Sequence, residues 1–206
     1  MAMRRNDIWI IGVLALAAVL VIARRCSSKE QPEGQAESTE QTVPPSVEAG
    51  PPPDAKALLR QAVVADKAGD YAVAVGFYRQ AAMQGLPEAQ NNLGVMYKDG
   101  QGVAQDYVEA ARWFAKAALQ GNILAQSNLG WLYQSGHGVA QDFSAARHWY
   151  LKAACRGHAA AQNNLATMYR DGQGVTQNLD SARYWLEQAA AQGMALAQRN
   201  LANLNK

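Results

Sequence analysis

The side chains with the most chemical reach in this 206-residue chain are three histidines, two cysteines and the carboxylates that flank a recurring Gly-x-Gly. His137, His148 and His158 have no partner at metal-ligand spacing and no nucleophile on a sharp turn. Cys26 and Cys155 are too few for a disulfide framework. Cys155 stands where Leu119 and Ala191 stand in neighbouring stretches, which reads as a small buried hydrophobe rather than a reactive thiol. Gly100-Gln101-Gly102 has the look of a phosphate loop. It follows a helical pattern rather than a strand, lacks a third Gly and a Lys, and is followed by Asp106, which repels phosphate. Asp99, Asp106 and Glu109 lack calcium-loop spacing. No catalytic residue, cofactor site or metal site is therefore expected. A net charge of +2 without blocks of like charge gives no pull towards nucleic acid.

The elements that must position these residues fall into three regions. Residues 8–23, IWIIGVLALAAVLVIA, carry no charge and are bracketed by Arg4-Arg5 and Arg24-Arg25. At 1.5 Å per residue they make roughly 24 Å of helix, a shortfall that snorkelling arginines and an interfacial Trp9 make tolerable. Arg24-Arg25 stand where a signal peptidase would need small residues, so an uncleaved single-pass anchor is expected over 1–26. Cations on both sides decide orientation poorly; the reading places the bulk of the chain outside the cytoplasm, in a periplasmic-type location. Residues 27–53 are rich in Pro, Glu, Ser and Gln with little to bury, and read as a disordered linker.

The rest is one motif repeated. Ala89, Ala125, Ala161 and Ala197 open copies spaced by 36 residues, and 18 of 36 positions are identical between the first two. Each copy reads as two antiparallel helices. The first runs from about Glu88 to Lys98 and is closed by Gly100. The second is opened by Asp106, with Glu109 completing a capping box, and buries Ala110, Trp113, Phe114, Ala117 and Ala118. Trp149 and Trp185 repeat Trp113 in that stripe. Residues 54–88 form an imperfect earlier copy, 89–124, 125–160 and 161–196 are full copies, and 197–206 is a polar capping helix.

The motifs A-x-x-N-L-G-x-x-Y, G-x-G-V-x-Q-D, A-x-x-W and K-A-A-x-x-G over 89–206 resemble the Sel-1-like repeat, a relative of the tetratricopeptide repeat (TPR), and 54–88 looks closer to a TPR unit through G-D-Y-x-x-A-x-x-x-Y. The resemblance implies an all-α, curved right-handed solenoid of antiparallel helix pairs with a scaffold or adaptor role. Some members carry a cysteine pair in each repeat and have been discussed as hydrolytic; this chain has none. Ala166 replaces Gly94 and Gly130, and Asn178 replaces the capping Asp.

One stripe departs from the repetition. Asn91, Val95 and Lys98, then Ser127, Trp131 and Gln134, then Asn163, Thr167 and Arg170 share one face of the first helices and vary between copies. A packing position should recur, so this stripe is expected at the surface, as a groove for a protein or peptide partner. Asn92, Asn128, Asn164 and Asn200 recur beside it and read either as groove lining or as inter-repeat hydrogen bonds. The rival readings are a cell-envelope hydrolase and a purely structural spacer.

Overall fold

The computed structural model describes residues 54–204. The expected anchor over 1–26, the linker over 27–53 and the last two residues of the expected cap lie outside these. Among the described residues there is no strand, and the chain is an all-α solenoid. Its helices are α1 (Ala55–Ala68), α2 (Tyr71–Met83), α3 (Pro87–Asp99), α4 (Tyr107–Leu119), α5 (Ile123–Ser135), α6 (Phe143–Cys155), α7 (Ala159–Asp171), α8 (Leu179–Ala191) and α9 (Ala195–Leu204). Each packs chiefly on its neighbours in sequence. None of these helices is long and apolar enough to cross a membrane.

Local signals set the helix ends. Asp106 Oδ1 accepts the N–H of Val108 at 2.8 Å and of Glu109 at 3.0 Å, satisfying two orphan donors at the start of α4. The expected capping box goes no further. The N–H of Asp106 is already bound to Tyr97 O at 2.9 Å, and Glu109 turns instead to Arg112. The Gly-x-Gly loops do more than end helices. Gly102 has φ +69°, and a Cβ built on it would lie 2.4 Å from the carbonyl oxygen of Tyr71. Gly138 stands in the same relation to Tyr107, and Gly174 to Phe143. Each loop thus sits directly on the first turn of the preceding pair's second helix, and only glycine permits the approach.

The core is a run of small clusters in which alanine lets helix backbones come close. Ala74, Ala110, Ala146 and Ala182 are fully buried, one per pair, as are the large side chains of Phe114 and Tyr150. Opposite the rings stand Gly94 and Gly130, where an added Cβ would lie 2.7 Å from the Phe114 ring and 2.8 Å from that of Tyr150. In the last copy Leu186 replaces the ring, and Ala166 takes the glycine's place in the same cluster. The Gly-to-Ala departure is therefore half of a compensated pair.

Two expectations are corrected. Trp113, Trp149 and Trp185 are only half buried. The deep position belongs to the next residue, Phe114, Tyr150 or Leu186. Each indole instead packs on the edge of a cluster contributed by the preceding pair and so covers a seam between units. Two of them carry a cation on the outer side: Lys116 Nζ lies 4.0 Å from the Trp113 ring and Lys152 Nζ 4.7 Å from that of Trp149. Cys155 is exposed rather than buried. The last turn of the second helix faces outward at this position, and Leu119 there is 76% exposed.

Candidate functional site

The nine stripe residues separate into two sets. Asn91, Ser127 and Asn163 are at most 8% exposed, which corrects the expectation that they lie at the surface. Asn91 and Asn163 belong to polar chains at the junctions. Asn128 Nδ2 donates to Asn91 Oδ1 at 3.2 Å, and Asn91 Nδ2 donates to Asn92 Oδ1 at 3.2 Å. Asn200 Nδ2 donates to Asn163 Oδ1 at 2.9 Å, and Asn163 Nδ2 to Asn164 Oδ1 at 3.4 Å. Asn92 and Asn164 lie beside the hydroxyls of Tyr78 and Tyr150. The inter-repeat role is the one observed for Asn128 and Asn200.

These chains explain why a buried position varies. Tyr78, Phe114, Tyr150 and Leu186 are spaced by 36 residues. Where the ring has a hydroxyl, the next asparagine lies beside it. Where Phe114 or Leu186 has none, Asn128 or Asn200 reaches back to the preceding copy. Ser127 stands in the one full copy that receives no such bond. Burial and the Asp66 carboxylate push the Tyr78 phenol up to about 12, and burial also raises that of Tyr150. Both stay protonated donors, Tyr78 to Asp66 Oδ2 at 3.1 Å and Tyr150 to Gln134 Oε1 at 3.0 Å.

The other stripe residues reach solvent to different degrees. Val95 is half buried against the second cluster, and Thr167 Oγ1 donates to Asn163 O at 2.9 Å. Gln134 is held between the Tyr150 hydroxyl and Gln173, to whose Oε1 it donates at 3.2 Å. Lys98 pairs with Asp99, and Arg170 pairs with Asp171 through two bonds of 2.7 and 2.9 Å, so each charge is largely balanced on its own helix end.

Trp131 is the exception. It is 36% exposed and lies in an aromatic cluster that sequence reasoning missed. Its ring stacks on His137 with centroids 5.2 Å apart and 6° between planes, and Tyr107 meets His137 at 4.8 Å and Trp131 at 6.2 Å. Gln105 fixes the Tyr107 hydroxyl from a donor 3.2 Å away while also holding Lys98 O at 2.8 Å. The signal was present in the sequence: Trp131 and His137 are departures from the repeat within one copy. His158 was missed as well. Its Nδ1 accepts the N–H of Ala161 at 3.2 Å and caps α7, the role of Asn122 on α5.

An open cleft of about 710 Å³ lies between residues 139–144 and Gly174. Its one carboxylate, Asp142, accepts the N–H of Ala145 as the cap of α6, so the cleft presents no acid–base pair. Among the described residues no group of three or more His, Cys, Asp or Glu could hold a metal.

With this geometry in hand, the comparisons with known proteins are specific. The chain matches the profile of the Sel1 repeat over residues 66–86, 87–122, 123–158 and 159–194, so the match reaches into the unit that looked closer to a TPR. It is similar to a protective antigen of uropathogenic Escherichia coli strains displaying an SLR fold, at 36% identity and a TM-score of 0.69, covering 73% of this chain and 33% of that one. It is also similar to a Sel1 repeat protein from Oxalobacter formigenes, at 34% identity and a TM-score of 0.69, covering 73% of this chain and 63% of that one. The chain therefore spans less than two thirds of the length of either. No curated protein matches it.

Proposed function

This chain belongs to the Sel1 repeat family, and on that premise we propose that it is a scaffold that holds a protein or peptide partner against its first-helix face, with Trp131 as the anchor. Sel1 repeat proteins are generally protein-interaction scaffolds and are typically non-catalytic. The observation that carries the assignment to Trp131 is its position. It is a large, partly exposed aromatic in a row where the other copies place Val95 and Thr167, so the fold does not require an indole there. Partly buried aromatics on a rigid frame are favoured interface anchors. Val95, Thr167 and Gln134 extend the surface on either side, and Lys98 and Arg170 close it at the helix ends. In this reading the face is the concave one, and residues 8–23 hold the chain in a membrane with the repeats on the periplasmic-type side.

A photoreactive phenylalanine analogue in place of Trp131, introduced in the full chain in its native cells, tests the assignment. A discrete crosslinked partner is expected, together with none from the same analogue at Tyr184 on the outer face. Equal crosslinking from both positions, or from Tyr184 alone, contradicts it.

A further inference from the structure

Short turns make the helices alternate in direction, so the solenoid has two unlike edges. One carries the Gly-x-Gly loops. All four ion pairs among the described residues lie on it: Lys98–Asp99, Glu109–Arg112, Arg170–Asp171 and Asp180–Arg183. The other edge carries the turns at residues 84–86, 120–122 and 156–158. There Lys116, Lys152 and Arg156 lie in the last turns and cap of α4 and α6, exposed and in none of those ion pairs. Lys116 and Lys152 cover half-buried indoles, and the Arg156 guanidinium donates to the Gly121 carbonyl of the turn before it. Among these cations stand aliphatic side chains turned to solvent: Met83 at 75%, Leu119 at 76% and Leu124 at 53% exposure. Asp54 and Glu88 open α1 and α3 on this edge, and Glu187 stands exposed beside Gln188, the last copy's counterpart of Lys116 and Lys152; the later copies replace Glu88 with Leu124, Ala160 and Leu196.

We propose that this edge rests on an anionic phospholipid surface. Lys116, Lys152 and Arg156 meet the headgroups, and Met83, Leu119 and Leu124 enter the interface. Unpaired cations are attracted to an anionic leaflet over about a Debye length, and interleaved aliphatic tips gain by leaving water there. Indoles beneath lysines suit the same depth. The chain joins α1 at Asp54, on this same edge. An acidic protein would satisfy the cations without using the protruding aliphatic side chains. The inference does not need the anchor proposed above.

The test uses the full chain with Cys26→Ser and a fluorophore on Cys155, which is exposed and sits between Lys152 and Arg156. Vesicles of phosphatidylcholine, with or without phosphatidylglycerol, carry a headgroup-linked quencher. Quenching is expected with phosphatidylglycerol only. High salt and the Lys116→Glu/Lys152→Glu/Arg156→Glu variant should each weaken it by about tenfold or more. A label at Ala104→Cys on the opposite edge, with Cys155→Ser, should stay unquenched. Should the triple variant unfold, the salt series decides. Equal quenching in the two vesicle types overturns the proposal, as does equal quenching at positions 104 and 155. So does shielding of Cys155 by poly-glutamate where anionic vesicles give none. Flotation separates the two membrane readings. Flotation with both vesicle types but no quenching keeps the anchor and overturns the edge. Flotation and quenching with anionic vesicles alone supports the edge and overturns the anchor.

Discussion

A half-buried imidazole that caps a helix by accepting a hydrogen bond must be unprotonated to do so. Burial holds the His158 pKa below its usual value, so the unfolded chain takes up the proton first as pH falls. The stability tied to this cap is fully present above about pH 6.5 and drains away as pH falls from there through the lowered folded value. His158→Asn restores the cap seen at Asn122 without a titrating group. We expect the variant's melting temperature to gain on the wild type between about pH 7.5 and pH 5.5; a constant difference across that range would contradict the capping role. Packing makes a second residue-scale prediction. Gly130→Ala drives a Cβ towards the fully buried Tyr150 ring and should cost about 1–3 kcal/mol. Combined with Tyr150→Leu, it recreates the Ala166–Leu186 pairing. The double variant should be more stable than the sum of the single changes by about 1 kcal/mol, measured by urea unfolding. Strict additivity would mean that the ring and the glycine do not sense one another.

The helical elements and their order were legible because period, caps and Gly-x-Gly loops repeat. Sequence reading placed the first helix of a copy at about Glu88 to Lys98, and it is Pro87–Asp99. What it could not weigh was which of two adjacent aromatics goes deepest. Trp113 and Phe114 both fall within the apolar arc, and only the seam between pairs selects Phe114. Nor does a linear pattern tell variation at a surface from compensated variation in a core, so Asn91, Ser127 and Asn163 read as groove positions in sequence and are buried in the fold. Because Trp149 covers a seam and remains half exposed, Trp149→Ala should cost about 2 kcal/mol, below the 3–5 kcal/mol of a fully buried aromatic. The loops offer a sharper contrast. Gly157 has φ +85° but open space around it, so Gly157→Ala should cost only the left-handed strain of about 1–2 kcal/mol. Gly138→Ala adds a Cβ 2.2 Å from the Tyr107 carbonyl oxygen and must lift one copy off the next. It should cost several kcal/mol and broaden the melt as neighbouring units uncouple. Similar melts for the two variants would remove the interlocking role assigned to these loops.

In the whole molecule, stability comes from contacts between successive units, while the proposed function resides in one copy that departs from the repeat. Its signature, Trp131 with His137, was half legible: the tryptophan stood out on a variable stripe, whereas its ring partners come from a loop and from the preceding copy, which no linear pattern joins. Lys98 and Arg170 looked like free cations in sequence and are paired with Asp99 and Asp171, so they contribute less to an acidic ligand than their charge suggests. The proposed anchor predicts that the full chain stays with membranes in alkaline carbonate while residues 54–206 are soluble and helical; release of the intact chain would remove it. The scaffold assignment meets its most direct test in isothermal titration of the crosslinked partner, once identified, against wild type and the Lys98→Ala/Trp131→Ala/Arg170→Ala variant, with thermal melts alongside. Affinity should fall by a few kcal/mol, mostly through Trp131, while Lys98→Ala and Arg170→Ala alone change stability by no more than about 0.5 kcal/mol. Undiminished affinity in a well-folded triple variant would contradict the account.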